Sequence, residues 1–432
     1  MKVLVPLPID LSVMANGRTL RIVHLLREMN HRCDLTCLVP GDIRAEAART
    51  ALPNIRVESP DAAATHASDG WPADVLPLQG IDRRVLGFIG IDEPLLRATA
   101  ERVGRFDAVF GFDIVSVACL LAARFARRGE RPRIVADMID DPWITWRSQT
   151  LPACLRPRGL KQAFVVRRFR SCLIPQLDAC TAVAPRDGEQ LSSATGLKVP
   201  VVPNGVVLPD AGCLDSSREN LVVFTGAMQF PPNAVAARWL VRRVWPLVLK
   251  AMADGQEARS GSHPRAQLAI VGTSPGPEVR SLARAPGVVV TGAVDNVTDW
   301  LKRARVAVAP MTTGSGIKNK VLEASAAACP MVSTALGVAG LPCGENNGSL
   351  LADRPAEFAD KVVTLLQNPA LARTIGLAGR AMVCRQYSWP RMAERMLQVL
   401  RGPAPVAAPP AAPEDDRDHP RNGKEALTYA AS

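Results

Sequence analysis

Short apolar runs alternate with longer amphipathic stretches along most of this chain. The runs KVLVP (2–6), CDLTCLV (33–39), DAVFGF (107–112), RIVADM (133–138) and ACTAVA (179–184) are nearly continuous in apolar residues. That is how a strand buried on both faces reads. Between them lie helical patterns at 18–30, at 117–126 (VACLLAARFA) and, strongly basic, near 160–173. Strand, helix and strand in this rhythm predict a parallel sheet covered by helices. Residues 41–100 are less regular, and the pattern places no element there.

The rhythm then restarts. VPVVPNGVVLP (199–209) is extended, with Pro203, Asn204 and Gly205 as turn residues. After it come runs at 220–226, 267–272, 287–292 and 305–310, with helical patterns at 233–250 and 295–304. The expected fold is therefore α/β, with two Rossmann-like domains facing across a cleft, and 432 residues is a length that suits two cores. The expected divisions are 1–200, 201–386 and a Pro/Ala-rich tail at 402–432 with too little apolar surface to fold. An open parallel sheet binds ligands at the carboxyl ends of its strands. Two such crevices facing each other suit an enzyme with two substrates.

Charge narrows the ligands. The chain carries a net +11, and its tail holds five acids against three bases, so the body is more basic still. That balance fits a phosphate-bearing substrate, an anionic membrane surface or nucleic acid. Aromatic residues make up only 4%, and no basic stripe interleaves with them, so nucleic acid is not expected. The ten cysteines form no C-x-x-C pair and the five histidines are scattered, so reduced thiols and no bound metal are expected. The first residues, MKVLVPLPIDL, have too short an apolar core for a signal peptide and read as a strand. A cytoplasmic protein is expected.

The most specific segment is MTTGSGIKNKVLEASAAACP (311–330), which follows the run RVAVAP. Gly314, Ser315 and Gly316 stand between a buried strand and a helix expected to begin near Ile317. Free backbone N–H groups and the positive end of the helix dipole meet at such a place, which suits an anion. Lys320 and Glu323 are three apart and share a helix face, with Lys318 beside them. A cation for a diphosphate next to a carboxylate for ribose hydroxyls is what a nucleotide asks for. The plain alternative is a glycine turn with a solvated Lys/Glu pair. Two other segments could face the same cleft. SVMANGRTLRIVHLLREM (12–29) offers Gly17, Arg18 and Arg21 at a helix start, and VADMIDDPWITW (135–146) offers Asp137, Asp140 and Asp141 after a strand. Asp137 and Asp140 are candidates to orient an acceptor hydroxyl or take its proton; Asp141, ahead of Pro142, can equally cap a helix.

The segments FTGAMQFPPNAVAARWL (224–240) and GAVDNVTDWLKRARVAVAPMTTGSGIKNKVLEASAAACPMVSTALGVAGL (292–341) resemble the GT-B glycosyltransferases of the retaining, family 4-like kind. The closest likeness is to bacterial sugar transferases with a G-S-G-x-[KR]-x-K-x-L-E signature. VVPNGV (201–206) is similar to their interdomain strand, and YSWPRMAERMLQVL (387–400) to the helix, here 387–401, that returns to the first domain. The resemblance implies transfer of a sugar from a nucleoside diphosphate sugar to a saccharide or lipid-linked acceptor, in surface polysaccharide or glycolipid synthesis, without a metal cofactor. It implies a donor site of Gly226, Gly314, Ser315, Gly316, Lys318, Lys320 and Glu323, with Lys320 acting on the leaving group. It also implies that Arg18 or Arg21 could reach the diphosphate from the first domain. Two departures stand out. Ser315 occupies the position of the family's first glutamate, and TGAMQFPPN lacks the usual cations, so Lys318 and Lys320 are the replacements. Between Asp141 and Asp178 there are seven bases and no acid. Val165, Val166, Phe169 and Leu173 share one helix face there and Lys161, Arg167, Arg168 and Arg170 lie mostly elsewhere. Such a helix can rest on anionic lipid through the 156–173 segment, or be an ordinary surface helix. A sugar-nucleotide epimerase of the same fold and a non-catalytic basic scaffold are the competing functions.

Overall fold

The computed structural model describes residues 1–12, 17–60, 92–126, 131–139, 157–210, 218–257, 266–314 and 317–402. The first domain runs β1 (Lys2–Pro6), α1 (Gly17–Asn30), β2 (Asp34–Leu38), α2 (Asp42–Ala51), β3 (Arg56–Glu58), α3 (Glu93–Arg102), β4 (Ala108–Phe112), α4 (Asp113–Phe125), β5 (Arg133–Met138), α5 (Pro157–Arg168), β6 (Ala179–Ala182) and α6 (Pro185–Thr195). The second runs β7 (Glu219–Thr225), α7 (Pro231–Trp239), α8 (Trp245–Glu257), β8 (Gln267–Val271), α9 (Pro277–Arg280), β9 (Val288–Gly292), α10 (Val297–Arg303), β10 (Ala304–Ala309), α11 (Asn319–Ala326), β11 (Met331–Ser333), β12 (Ser349–Leu351), α12 (Pro355–Gln367), α13 (Pro369–Gln386) and α14 (Trp389–Arg401).

Both sheets are six-stranded, in the orders β3-β2-β1-β4-β5-β6 and β12-β11-β10-β7-β8-β9. Every strand pairing is parallel. Counted from its own first strand, each sheet has the order 3-2-1-4-5-6, in which strand order reverses beside the first strand. The reversal falls between β1 and β4 in one sheet and between β7 and β10 in the other. The crevices therefore open over the loops after β1 and β4, and after β7 and β10. Those loops carry Gly17, Gly226 and Gly314.

Residues 41–100, irregular in the sequence pattern, contribute α2, β3 and α3. The helix expected near 160–173 differs in its surroundings. It starts at Pro157, ends in a π-turn at Phe169–Leu173, and turns its apolar stripe inward. Val165, Val166, Phe169 and Leu173 are all buried in the core of the first domain, and the Arg170 Nη2 donates to the Gln190 carbonyl at 2.6 Å. That face is occupied by protein, and the described part of the helix and its π-turn shows Phe164, Arg167, Arg168 and Ser171 to solvent.

The linker between the sheets is tied down on both sides. Val201 bridges to Ala182 at the end of β6, and Val206 bridges to Ser388 just ahead of α14. α14 buries Trp389, Met392, Ala393, Met396, Leu397 and Leu400, spaced three and four apart, and its largest contact is with α1 of the first domain. Each large side chain so buried contributes about 1.5–3 kcal/mol. Trp389 stacks on His24 of α1 at 5.1 Å and covers Gly205, where a Cβ would strike the indole. Glycine at 205 is thus required by close packing. Among the described residues every cysteine is a free thiol, and burial pushes Cys37, Cys119 and Cys180 up to about 12.

Candidate functional site

The crevice of the second sheet is built around Lys320. This residue sits in the first turn of α11, is only 8% exposed, and points back under the loop that follows β7. Its Nζ donates to Asn233 Oδ1 at 2.8 Å and lies 4.2 Å from the centre of the Phe224 ring, with the Met311 sulfur at 3.7 Å. Asn233 in turn donates to the Ala227 carbonyl at 2.9 Å, which fixes its orientation at the start of α7. The ring face and the amide oxygen attract a cation, yet neither replaces water fully. Burial therefore pushes the Lys320 ammonium down to about 7; Glu323 opposes this and Lys318 adds to it. A lysine near neutrality at the mouth of two helices is poised to take a proton when an anion arrives.

Glu323 lies one turn further along α11, partly exposed to solvent. Burial raises its carboxyl above the usual range and Lys320 pulls it back. Gly314 has φ +109, a conformation that favours glycine, and its Cα faces Pro232 at the start of α7. Lys318 caps α11, which begins at Asn319 and not at Ile317. Gly226 follows β7 and packs against the Asn233 amide, where a Cβ would lie 2.7 Å from Nδ2. Ser315 and Gly316 lie outside the described residues. The structure thus brings Gly226, Gly314, Lys318, Lys320 and Glu323 to one crevice.

The first domain changes two assignments. Arg21 does not reach toward the cleft. It is fully buried, and all five of its N–H donors are in use: Nε to Asp137 Oδ2 at 2.7 Å, Nη2 to Asp137 Oδ1 at 2.9 Å and to the Val202 carbonyl at 2.8 Å, Nη1 to the Pro203 carbonyl at 2.8 Å and to Asn204 Oδ1 at 3.0 Å. Asp137 is equally buried, and it also accepts from the Thr181 hydroxyl at 2.7 Å. A carboxylate locked in a bidentate pair with arginine and closed to solvent cannot meet an acceptor hydroxyl. Asp137 and Arg21 are structural, joining α1, β5 and the linker. Asp140 lies outside the described residues.

Arg18 stands at the start of α1 and pairs with Asp113 at 2.6 Å. Asp113 was not evident from sequence. It directly follows β4 as the first residue of α4, beside β1 in the first crevice, and has φ 58, an uncommon conformation for a residue with a side chain. The available signal was an acid directly after an apolar strand (FGFD). Asn233, Asn204 and Asn319 were missed as well, because an isolated asparagine has no sequence pattern. Between the domains a cavity of about 290 Å3 is lined by Pro185, Arg186, Asp187 and Glu189 from one side and by Gly314, Lys318 and Gly340 from the other.

Two facing Rossmann-like domains define the GT-B architecture, and comparison with solved structures gives the same fold. HepE from Anabaena in complex with UDP aligns at a TM-score of 0.60 and 13% identity, covering 93% of this chain and 100% of that one. A mutant of TarM from S. aureus aligns at 0.61 and 10% identity, with 93% and 100% covered. WaaG, a glycosyltransferase involved in lipopolysaccharide biosynthesis, aligns at 0.58 and 12%, with 92% and 99% covered. Residues 219–368, most of the second domain, match the family model of the group 1 glycosyl transferases. No curated protein matches the chain in sequence.

Proposed function

We propose that the protein transfers a sugar from a nucleoside diphosphate sugar to an acceptor hydroxyl, with the donor held in the second domain. The observation that carries this reading is the buried Lys320 at the crevice between β7 and β10, with Glu323 on the same helix face. The solved relatives support the ligand class: HepE is described with UDP and with UDP-glucose, and TarM with UDP and α-GlcNAc-glycerol. Glu323 holds the ribose hydroxyls. The diphosphate lies over the first turn of α11, where free N–H groups and Lys320 meet its charge. As the glycosidic C–O bond breaks, its electron pair passes to the diphosphate oxygen, and Lys320 neutralises the charge that develops there. One well-placed donor of this kind is worth about 100- to 1,000-fold in rate.

Lys320 replaces the cations that the turn after β7 lacks, which supports a metal-independent reaction. The acceptor enters from the first domain, where Asp140 orients its hydroxyl and the Arg18–Asp113 pair shapes the crevice. Retention of configuration follows if the acceptor oxygen arrives on the face the diphosphate leaves. We assign the enzyme to the cytoplasm, making surface polysaccharide or glycolipid, with Arg167 and Arg168 available to an anionic membrane beside a lipid-linked acceptor. Among the described residues no helix is long and apolar enough to cross a membrane. Following donor turnover by NMR, with and without EDTA, tests the chemistry. A product of the same anomeric configuration, formed equally in EDTA, is expected; an inverted product, or loss of turnover in EDTA, would overturn retention or metal independence respectively.

A further inference from the structure

One line of hydrogen bonds crosses from the first domain into the donor helix, and its polarity is determined. Arginine can only donate, so the Arg21 Nη1 contact at 3.0 Å identifies the near atom of the Asn204 carboxamide as oxygen. Its NH2 group must then face the other way, and it donates to Asn319 Oδ1 at 2.8 Å. This settles Asn319 in turn: its oxygen is held by Asn204, and its NH2 group points toward Gly17, whose added Cβ would lie 3.2 Å from Nδ2. Asn319 is the first residue of α11, directly between Lys318 and Lys320, and only partly exposed. Among the described residues its NH2 group has no acceptor. A partly exposed donor without a protein partner, oriented by Asn204 and set beside Gly17 of the first domain, is where a ligand oxygen can be received.

We propose that Asn319 is a further donor-binding residue, whose NH2 group hydrogen-bonds an oxygen of the diphosphate, and that Asn204 is the positioning residue that aims it. The inference rests on the donor reading above. A Cβ at Gly17 would crowd this amide at 3.2 Å. Asn204 touches no substrate; it transmits the fixed orientation of the Arg21–Asp137 pair to the donor helix.

Two near-isosteric substitutions separate these roles from folding. Asn319→Asp keeps an oxygen for Asn204 but presents a second, charged oxygen to the diphosphate. Asn204→Asp still accepts from Arg21 but can no longer donate, so the Asn319 carboxamide reverses and turns its oxygen into the site. Calorimetric titration of the full chain with UDP, GDP, ADP, CDP and dTDP identifies the nucleoside diphosphate bound, and that nucleoside alone is the control. Both variants should lose about tenfold or more in affinity for the diphosphate, as charge-assisted hydrogen bonds allow, with nucleoside affinity and melting temperature unchanged. Diphosphate affinity within twofold of wild type in both variants would overturn the proposal. So would an equal loss for nucleoside and diphosphate, which marks a merely structural residue. Wild-type protein that binds none of the five would overturn the donor reading itself, and this inference with it.

Discussion

A buried lysine that titrates near neutrality makes donor binding a proton-uptake reaction, with opposite consequences for affinity and stability. In the free enzyme burial lowers Lys320 to about 7. A bound diphosphate favours the charged form and raises that value again. At pH 7 about half the molecules must gain a proton on binding, and at pH 8 about nine-tenths, if the bound lysine is fully charged. Above pH 7 the donor affinity should fall up to about tenfold per unit, equivalent to about 1.4 kcal/mol, until the raised value is passed. Stability of the empty protein runs the other way. The folded-state value lies below that of the unfolded chain, so between about 7 and 10 the unfolded state holds more protons and stability rises with pH, by at most about 1.4 kcal/mol per unit. Isothermal titration with the sugar nucleotide, whose diphosphate is ionised throughout, in buffers of different ionisation enthalpy counts the protons. Lys320→Met should abolish the uptake and flatten the stability slope. Uptake below about 0.2 protons at both pH values, or the same uptake in Lys320→Met, would refute the reasoning.

Other substitutions test the remaining parts. Arg21→Met leaves Asp137 buried without its partner and should cost about 3–5 kcal/mol in chemical denaturation, with much of the loss recovered when Asp137→Leu is added; a loss below about 1 kcal/mol would contradict the structural role. Glu323→Ala should weaken binding of the nucleoside diphosphate while leaving the melting temperature within a few degrees, and unchanged affinity would remove the ribose contact. Gly314→Ala forces a side chain into φ +109 and should destabilise by about 1–3 kcal/mol, with a matching loss of donor affinity.

The strand runs, the two-domain rhythm and the Gly314–Lys320–Glu323 segment were legible because each rests on local pattern. A buried parallel strand is apolar throughout, and a glycine turn between that strand and a helix is a pattern held within ten residues. What escaped depends on partners distant in the chain. Asp137 followed an apolar strand and so read as a cleft acid, but Arg21, 116 positions away, closes over it. The stripe of Val165, Val166, Phe169 and Leu173 was visible as a face, and only packing showed what covers it. Asn204 and Asn319 are short polar residues whose meaning lies entirely in which atom each turns to its neighbour. Asp113 had its signal, an acid at a strand end beside the strand-order reversal, but the reversal is a property of the sheet.

The measurement closest to the central claim is thermal stabilisation of the full chain by UDP-, GDP-, ADP-, CMP- and dTDP-sugars, each with and without EDTA. One nucleoside diphosphate sugar should raise the melting temperature, equally in EDTA, and Glu323→Ala should lose the shift. Well-folded protein that responds to none of them would contradict the account, leaving Lys320 as a buried lysine in a crevice that holds no donor.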